Sequence, residues 1–290
     1  LRNAVQLIHL ITMGACVAVF VPFGVAMPAG KTFIHATLDP LDLYKDLSVQ
    51  HALLGDARLC LIALSEALHD EDVSKATSRS TRVVDEIASI RKSWLAEWSL
   101  KRDSNAMPLN PYRVLRDLEE TVNVANTIIT HDSGSPRDQL SPFWKSLSPL
   151  GYLGWGKSTQ LGYGLGLAMG AKLACPEKLC INVWGDAAIG FTGMDFETAV
   201  REQIPILSIL LNNFSMAIEL PIMPVSTEKF RSTDISGNYA DFAKALGGYG
   251  ERVTTPTEIV PAIKRGITQI EAGHAVLLEF ITSKELEISI

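Results

Sequence analysis

Leu179-Cys180-Ile181-Asn182-Val183-Trp184-Gly185-Asp186-Ala187-Ala188, with Asn212-Asn213 beyond it, is the stretch that decides how this chain folds. The mostly apolar run before Gly185 suits a strand buried on both faces of a parallel sheet. Gly185 is expected to let the backbone turn sharply at the strand's end, leaving Asp186 at its carboxyl terminus. Phe191 to Arg201 reads as a helix, with Phe191, Met194, Phe196, Ala199 and Val200 partly on one face. Ile204 to Leu211 reads as the next strand, ended by Asn212-Asn213. Two adjacent parallel strands then bring a carboxylate and a carboxamide oxygen to one rim, with the amino end of a helix between them. Phosphate and a hard cation bind at such a rim.

Gly-Asp-Ala-Ala alone is a common strand-ending turn, but Asp186 and Asn213 stand 27 positions apart. With strand, helix and strand between them, the segment resembles the thiamine-diphosphate binding motif, which in that family starts Gly-Asp-Gly and closes with Asn-Asn. Ala187 replaces the third residue, and its methyl fits only if the backbone keeps negative φ and leaves room for the diphosphate. The resemblance implies that Asp186 gives Mg2+ a carboxylate oxygen, Asn213 its side-chain oxygen and Ser215 its backbone carbonyl. Diphosphate oxygens and a water complete the octahedron. It further implies that Gly185, Ala187 and Ala188 line the diphosphate, the alanines through backbone N–H groups. A polar strand terminus is the alternative for Asn212 and Asn213, and a solvent-facing position for Glu197, which is kept out of the catalytic residues.

Upstream, Gly151-Tyr152-Leu153-Gly154-Trp155-Gly156 and Thr159-Gln160-Leu161-Gly162-Tyr163-Gly164-Leu165-Gly166 permit close backbone approach, and Leu165 to Ala174 suits a buried helix. This segment resembles the part of acetolactate synthases and related decarboxylases that covers the cofactor's pyrimidine ring. Leu161 matches the bulky residue that bends the cofactor there; a plain core leucine is the alternative. Ile128-Ile129-Thr130-His131-Asp132-Ser133-Gly134-Ser135-Pro136-Arg137-Asp138 looks like the first strand of the same domain and its loop, with Ser135 and the backbone around Gly134 as cofactor contacts. Arg137 reads as the partner of Asp138 rather than of a phosphate or substrate carboxylate, and His131 is given no mechanistic role.

The fold expected for 108–290 is α/β, an open, mostly parallel sheet flanked by helices, which the resemblance makes a thiamine-diphosphate-binding fold. Residues 1–107 resemble the latter part of the central domain of the acetolactate-synthase group, which implies a partial α/β central domain and a linker, with the break at Asn105 to Pro111. Lys31 to Thr37 and Val49 to Leu53 read as strands, Asp39-Pro40 as a capping turn, Leu59 to Leu68 as a helix, and Trp94 and Trp98 as helix-surface anchors. Some members of the resembling group bind a nucleotide cofactor in this domain. No complete Gly-x-Gly-x-x-Gly fingerprint stands here, so flavin is left as an open second cofactor. Ile8 to Pro28 is nearly all apolar, but His9, Thr12 and Pro22 favour a buried βα segment over a membrane span. The first residue is not Met, which suggests a processed product, a partial sequence or a truncated gene product.

The chain is mildly acidic, 26 Lys and Arg against 32 Asp and Glu, without the basic patch that a nucleic-acid backbone requires. Cys16, Cys60, Cys175 and Cys180 lack metal-site spacing and read as thiols of a reducing compartment, the cytoplasm or an organellar matrix. The resemblance implies a carboligase or decarboxylase acting on pyruvate or another small 2-oxo acid. It also implies an oligomer, in which a missing domain or another subunit brings the glutamate that activates the cofactor. No catalytic residue is assigned within the chain. The alternatives are a non-catalytic cofactor-binding partner or a degenerate truncated homologue, and a dehydrogenase-like dinucleotide binder lacks its glycine fingerprint.

Overall fold

The computed structural model describes residues 10–13, 32–44, 48–69, 74–154 and 160–289. Contacts divide the chain into two units, Leu1–Glu97 and Trp98–Ile290. The second therefore begins ten residues before the 107/108 boundary drawn from sequence. Trp98 explains the earlier start: it is 9% exposed, and its ring lies edge-on to Tyr112 at 4.8 Å and to Phe143 at 5.5 Å. It is a core residue of the second unit, not the helix-surface anchor expected from sequence.

In the first unit, β1 (Leu10–Met13), β2 (Phe33–Thr37) and β3 (His51–Leu54) form a parallel sheet in that order, followed by α1 (Ala57–His69) and α2 (Ser74–Glu97). Asp39 caps the turn Pro40–Asp42 by accepting the Leu41 N–H at 2.9 Å. Asp56 accepts the Leu59 N–H at 3.1 Å and so begins α1. Apart from Leu10–Met13, the apolar stretch Ile8 to Pro28 lies outside the described residues, as does Cys16. Among the described residues no helix is long and apolar enough to cross a membrane.

The second unit runs α3 (Ser99–Arg102), α4 (Pro111–Thr121), β4 (Thr127–His131), α5 (Ser135–Leu140), β5 (Tyr152–Leu153), α6 (Tyr163–Ala174) and β6 (Leu179–Gly185). It continues with α7 (Asp186–Thr192), α8 (Asp195–Arg201), β7 (Leu207–Asn212), α9 (Pro224–Phe230), α10 (Tyr239–Ala245), β8 (Tyr249–Val253), α11 (Pro256–Glu271) and β9 (Val276–Ile281). Its strands form one sheet in the order β5-β4-β6-β7-β9-β8, with every pairing parallel. Alternating side chains build a core on each face. Ile181, Val183, Ile209, Leu278 and Phe280 meet α4 and α11, whereas Cys180, Trp184, Leu210 and Leu277 meet α6, α8 and α10. This two-sided burial explains the near-continuous apolar strands and gives the α/β sheet flanked by helices that the sequence implied.

Two expectations need correcting. The helix placed at Phe191 to Arg201 is two helices: α7 starts at Asp186 itself and stops at Gly193, where a Cβ would lie 2.5 Å from the Ile189 carbonyl oxygen. That close turn leaves Phe191 66% and Met194 64% exposed, so only Phe196 and Ala199 of the proposed face are core. The strand after it begins at Leu207 rather than Ile204, because Pro205 has no N–H to offer the ladder.

Candidate functional site

After β4 the chain passes to β5 on one side, then crosses back to β6 on the other. The carboxyl ends of β4 and β6 therefore flank a topological switch point, where an open parallel sheet leaves a crevice for a ligand. Asp132 follows β4, Asp186 follows β6 and Asn213 follows β7, so register brings all three to one edge of the sheet.

Asp186 is buried and accepts three backbone N–H groups: Ala187 at 2.9 Å on Oδ1, with Asn213 at 3.1 Å and Ser215 at 3.0 Å on Oδ2. Burial pushes its carboxyl up to about 6, against these N–H groups, which pull it down. A carboxylate held there at neutral pH is short of positive charge, which a cation supplies. Beside it the side-chain oxygen of Asn213 is buried without a hydrogen-bond partner, and so is the hydroxyl of Ser215. A buried acceptor left open next to an undercompensated carboxylate fits an oxygen-seeking cation. Among the described residues no cluster of three His, Cys, Asp or Glu side chains stands together. The donors here, the Asp186 carboxylate and the Asn213 amide oxygen, are hard oxygens, which suit an oxygen-seeking cation better than a soft metal.

The loop that carries Asn213 is held in an uncommon shape. Phe214 has φ 56°, a left-handed conformation costing a bulky residue about 1 kcal/mol or more, and its N–H donates to Asn212 Oδ1 at 3.0 Å. The Tyr239 hydroxyl is shared between the Ser236 carbonyl at 3.2 Å and the Asp186 carbonyl at 3.3 Å, and burial pushes that phenol up to about 12.

Ala187, the departure from Gly-Asp-Gly, lies in the first turn of α7 with helical backbone, so its side chain needs no left-handed conformation. Its N–H, expected to face a diphosphate, is bonded to Asp186 Oδ1. Gly185 does not make the sharp turn expected of it: φ −104° and ψ 170° are open to any residue, and a Cβ would meet only Pro136, at 3.5 Å. On the β4 side, Gly134 caps α5 at φ 83°, ψ −155°, a region close to glycine-only, and Ser135 opens the helix. Arg137 is paired with Asp138 at 2.5 and 2.9 Å. Leu161 is half-buried and packs against the core shared with α6 and α7. The segment 155–159 lies outside the described residues.

Asp132 was not singled out by sequence, yet it is fully buried and accepts N–H groups from Ser133 at 2.8 Å, Gly162 at 2.9 Å and Gly164 at 3.0 Å. Desolvation raises its carboxyl from the usual range. The two glycines are needed: at Gly162, φ 89°, a Cβ would meet the Thr192 side chain at 2.6 Å, and at Gly164 it would meet Asn182 Oδ1 at 2.4 Å. Asp132 thus ties the start of α6 to the end of β4. Its position after an apolar strand, matching that of Asp186, is the signal that sequence offered. At the opposite, amino edge of the sheet a cleft of about 560 Å3 is lined by Lys172, Lys178, Gln203, Pro205 and Glu271. Lys172 there is held by the Pro176 and Lys178 carbonyls.

Residues 132–280 match the family described as thiamine pyrophosphate enzyme, C-terminal TPP binding domain. A probable acetolactate synthase large subunit of Methanococcus aeolicus is 24% identical over 259 residues, 85% of this chain and 42% of the relative. A sulfoacetaldehyde acetyltransferase of Alcaligenes xylosoxydans is 26% identical over 275 residues, 87% of this chain and 45% of the relative. Acetolactate synthase isozyme 3 large subunit of Escherichia coli is 23% identical over 251 residues, 86% and 43%. The chain spans less than half the length of these curated relatives.

Proposed function

This chain belongs to the acetolactate synthase-like thiamine pyrophosphate enzymes and carries their C-terminal TPP binding domain, and from that premise we propose that its second unit holds thiamine diphosphate through Mg2+ at Asp186, Asn213 and Ser215. The observation that carries this is the open Asn213 side-chain oxygen beside the buried Asp186 carboxylate, at the switch point of the sheet. Asp186 and the Asn213 oxygen would ligate the cation, with the Ser215 carbonyl as third protein ligand. The N–H of Ala188, in the first turn of α7, and the backbone around Gly134 and Ser135 would border the diphosphate, while Leu161 would border the organic part of the cofactor. The chemistry supplied by bound thiamine diphosphate is nucleophilic addition to a 2-oxo acid, with loss of CO2 and transfer of the remaining acyl unit. The chain's own residues bind and orient the cofactor and keep its charged end out of bulk water.

We further propose that the whole protein is a carboligase or acyltransferase working on a small 2-oxo acid such as pyruvate, in line with the acetolactate synthases and the acetyltransferase among its relatives. Its activating glutamate would come from another domain or subunit. Calorimetric titration of thiamine diphosphate into the chain, with and without Mg2+, tests the site. Heat that needs Mg2+ and disappears in Asp186→Ala supports it; a folded chain that takes up no cofactor at millimolar concentration overturns it.

A further inference from the structure

Glu279 is a fully buried acid in the middle of β9. Both of its oxygens are saturated. Oε1 accepts from Asn212 Nδ2 at 2.7 Å and Arg252 Nη2 at 3.0 Å, while Oε2 accepts from Arg252 Nε at 2.9 Å and the Ala240 N–H at 3.0 Å. Register places Glu279 opposite Leu210 of β7 and Arg252 of β8, so the acid bridges three strands and the start of α10.

The bonds from Asn212 and Ala240 lead toward Asp186, while Arg252 also donates from Nη2 to the Gly237 carbonyl at 3.2 Å. Asn212, gripped through its Nδ2, is left one orientation for Oδ1, and that oxygen accepts the Phe214 N–H. Phe214 in its left-handed conformation turns the chain so that the N–H groups of Asn213 and Ser215, on either side of it, both reach Asp186 Oδ2. On the other arm, the Ala240 N–H fixes the beginning of α10, whose Tyr239 hydroxyl reaches the Asp186 carbonyl. A buried acid–Arg pair contributes little net stability compared with apolar residues of the same shape. A pair with one bond that fixes Asn212, at the root of the 213–215 loop, is better explained by geometry than by stability.

We infer that Glu279, acting through Asn212, is a positioning residue for the cation loop: it holds Phe214 left-handed and thereby sets where the Asn213 side-chain oxygen sits. This rests on the reading of the Asp186 site given above. Glu279 touches neither cation nor cofactor in this arrangement.

The test compares Glu279→Gln, Asn212→Ala and the double variant Asn212→Ala with Phe214→Gly, using thiamine diphosphate and Mg2+ as probes. Glu279→Gln and Asn212→Ala are expected to weaken Mg2+-dependent cofactor affinity at least tenfold in chains that remain folded. Adding Phe214→Gly, which removes the left-handed penalty, is expected to restore at least threefold of the loss, a rescue that general destabilisation does not give. Unchanged affinity in the single variants, or a loss with no rescue, overturns the positioning role.

Amide hydrogen exchange in the ligand-free chain decides the same question without cofactor. The amides of 213–215 should exchange at least tenfold faster in Asn212→Ala and Glu279→Gln, while those of Gly162 and Gly164, held by Asp132, keep their rates. Unchanged exchange at 213–215 overturns the inference whether or not the wild type binds cofactor. Accelerated exchange in variants of a chain that binds no cofactor supports the inference and removes only the cofactor assignment.

Discussion

Asp132 and Asp186 occupy equivalent places after two adjacent strands, and each is a buried carboxyl accepting three backbone N–H groups. They differ in what surrounds them. Around Asp132, the N–H donors come from its own neighbour and from the glycine-rich entry to α6, and the buried group left open beside that joint is a donor, Asn182 Nδ2. Around Asp186, the Asn213 side-chain oxygen and the Ser215 hydroxyl are buried with no partner. A folded chain seldom leaves such groups open unless something else occupies them. The same device, a strand-end aspartate gathering N–H groups, thus serves as an internal strap in one place and, in the function proposed above, would form half of a ligand site in the other.

Four measurements can break or sharpen that contrast. Asp132→Ala should lower the unfolding free energy of the ligand-free chain by roughly 3 kcal/mol or more, since it orphans three buried donors. A urea-melt loss below about 1 kcal/mol would show that α6 does not need the strap. Asp186→Ala should reduce Mg2+-dependent thiamine-diphosphate affinity at least about hundredfold, a difference of nearly 3 kcal/mol, read by calorimetry. Thermal melts should agree: cofactor with Mg2+ raises the Tm of wild type but not of this variant.

The third measurement varies pH. Asp186 is raised from 3.8 to about 6 in the folded chain, so between these values the native state binds more protons than the unfolded one. The stability that Asp186 contributes is fully present below about pH 4 and is lost as pH rises through 6. The unfolding free energy of ligand-free wild type minus that of Asp186→Ala should therefore fall by on the order of 2 kcal/mol from pH 4.5 to 7.5. A flat or rising difference would count against an uncompensated carboxylate. Last, Asn213→Ala should change ligand-free stability by less than about 1 kcal/mol, because it removes an acceptor that is already unsatisfied. It should nevertheless weaken Mg2+-dependent binding; a large stability loss would mean that the oxygen has a structural partner.

Much of the second unit was legible because its strands announce themselves. Leu179 to Gly185 is a mostly apolar run buried along most of its length, and the break expected at Asn105 to Pro111 falls where α4 begins, with the Asn110 side chain accepting the Tyr112 N–H at 2.9 Å. Less visible was anything set by close approach. The break at Gly193 depends on a carbonyl one turn earlier, and the burial of Trp98 on Tyr112 and Phe143, up to 45 residues away. Glu279 carried a usable signal, a lone acid inside an apolar strand, which is seldom buried without a partner. Its partners Asn212, Ala240 and Arg252 lie on three other elements, and nothing local names them.

What the sequence determined by itself was the alternation of buried strands with helices, the family and the 27-residue interval from Asp186 to Asn213. These are properties of local pattern: side-chain periodicity, apolar runs and turn residues act over a few neighbours. Only the tertiary structure decided that Asp132 is a strap, that Ala187 sits at ease in a helix and that Gly185 is extended. It also decided that the Asn213 oxygen is left open beside a carboxylate pushed up to about 6. Burial and hydrogen-bond satisfaction depend on which distant segments close over a group, and that is fixed when the sheet assembles rather than by its neighbours in the chain.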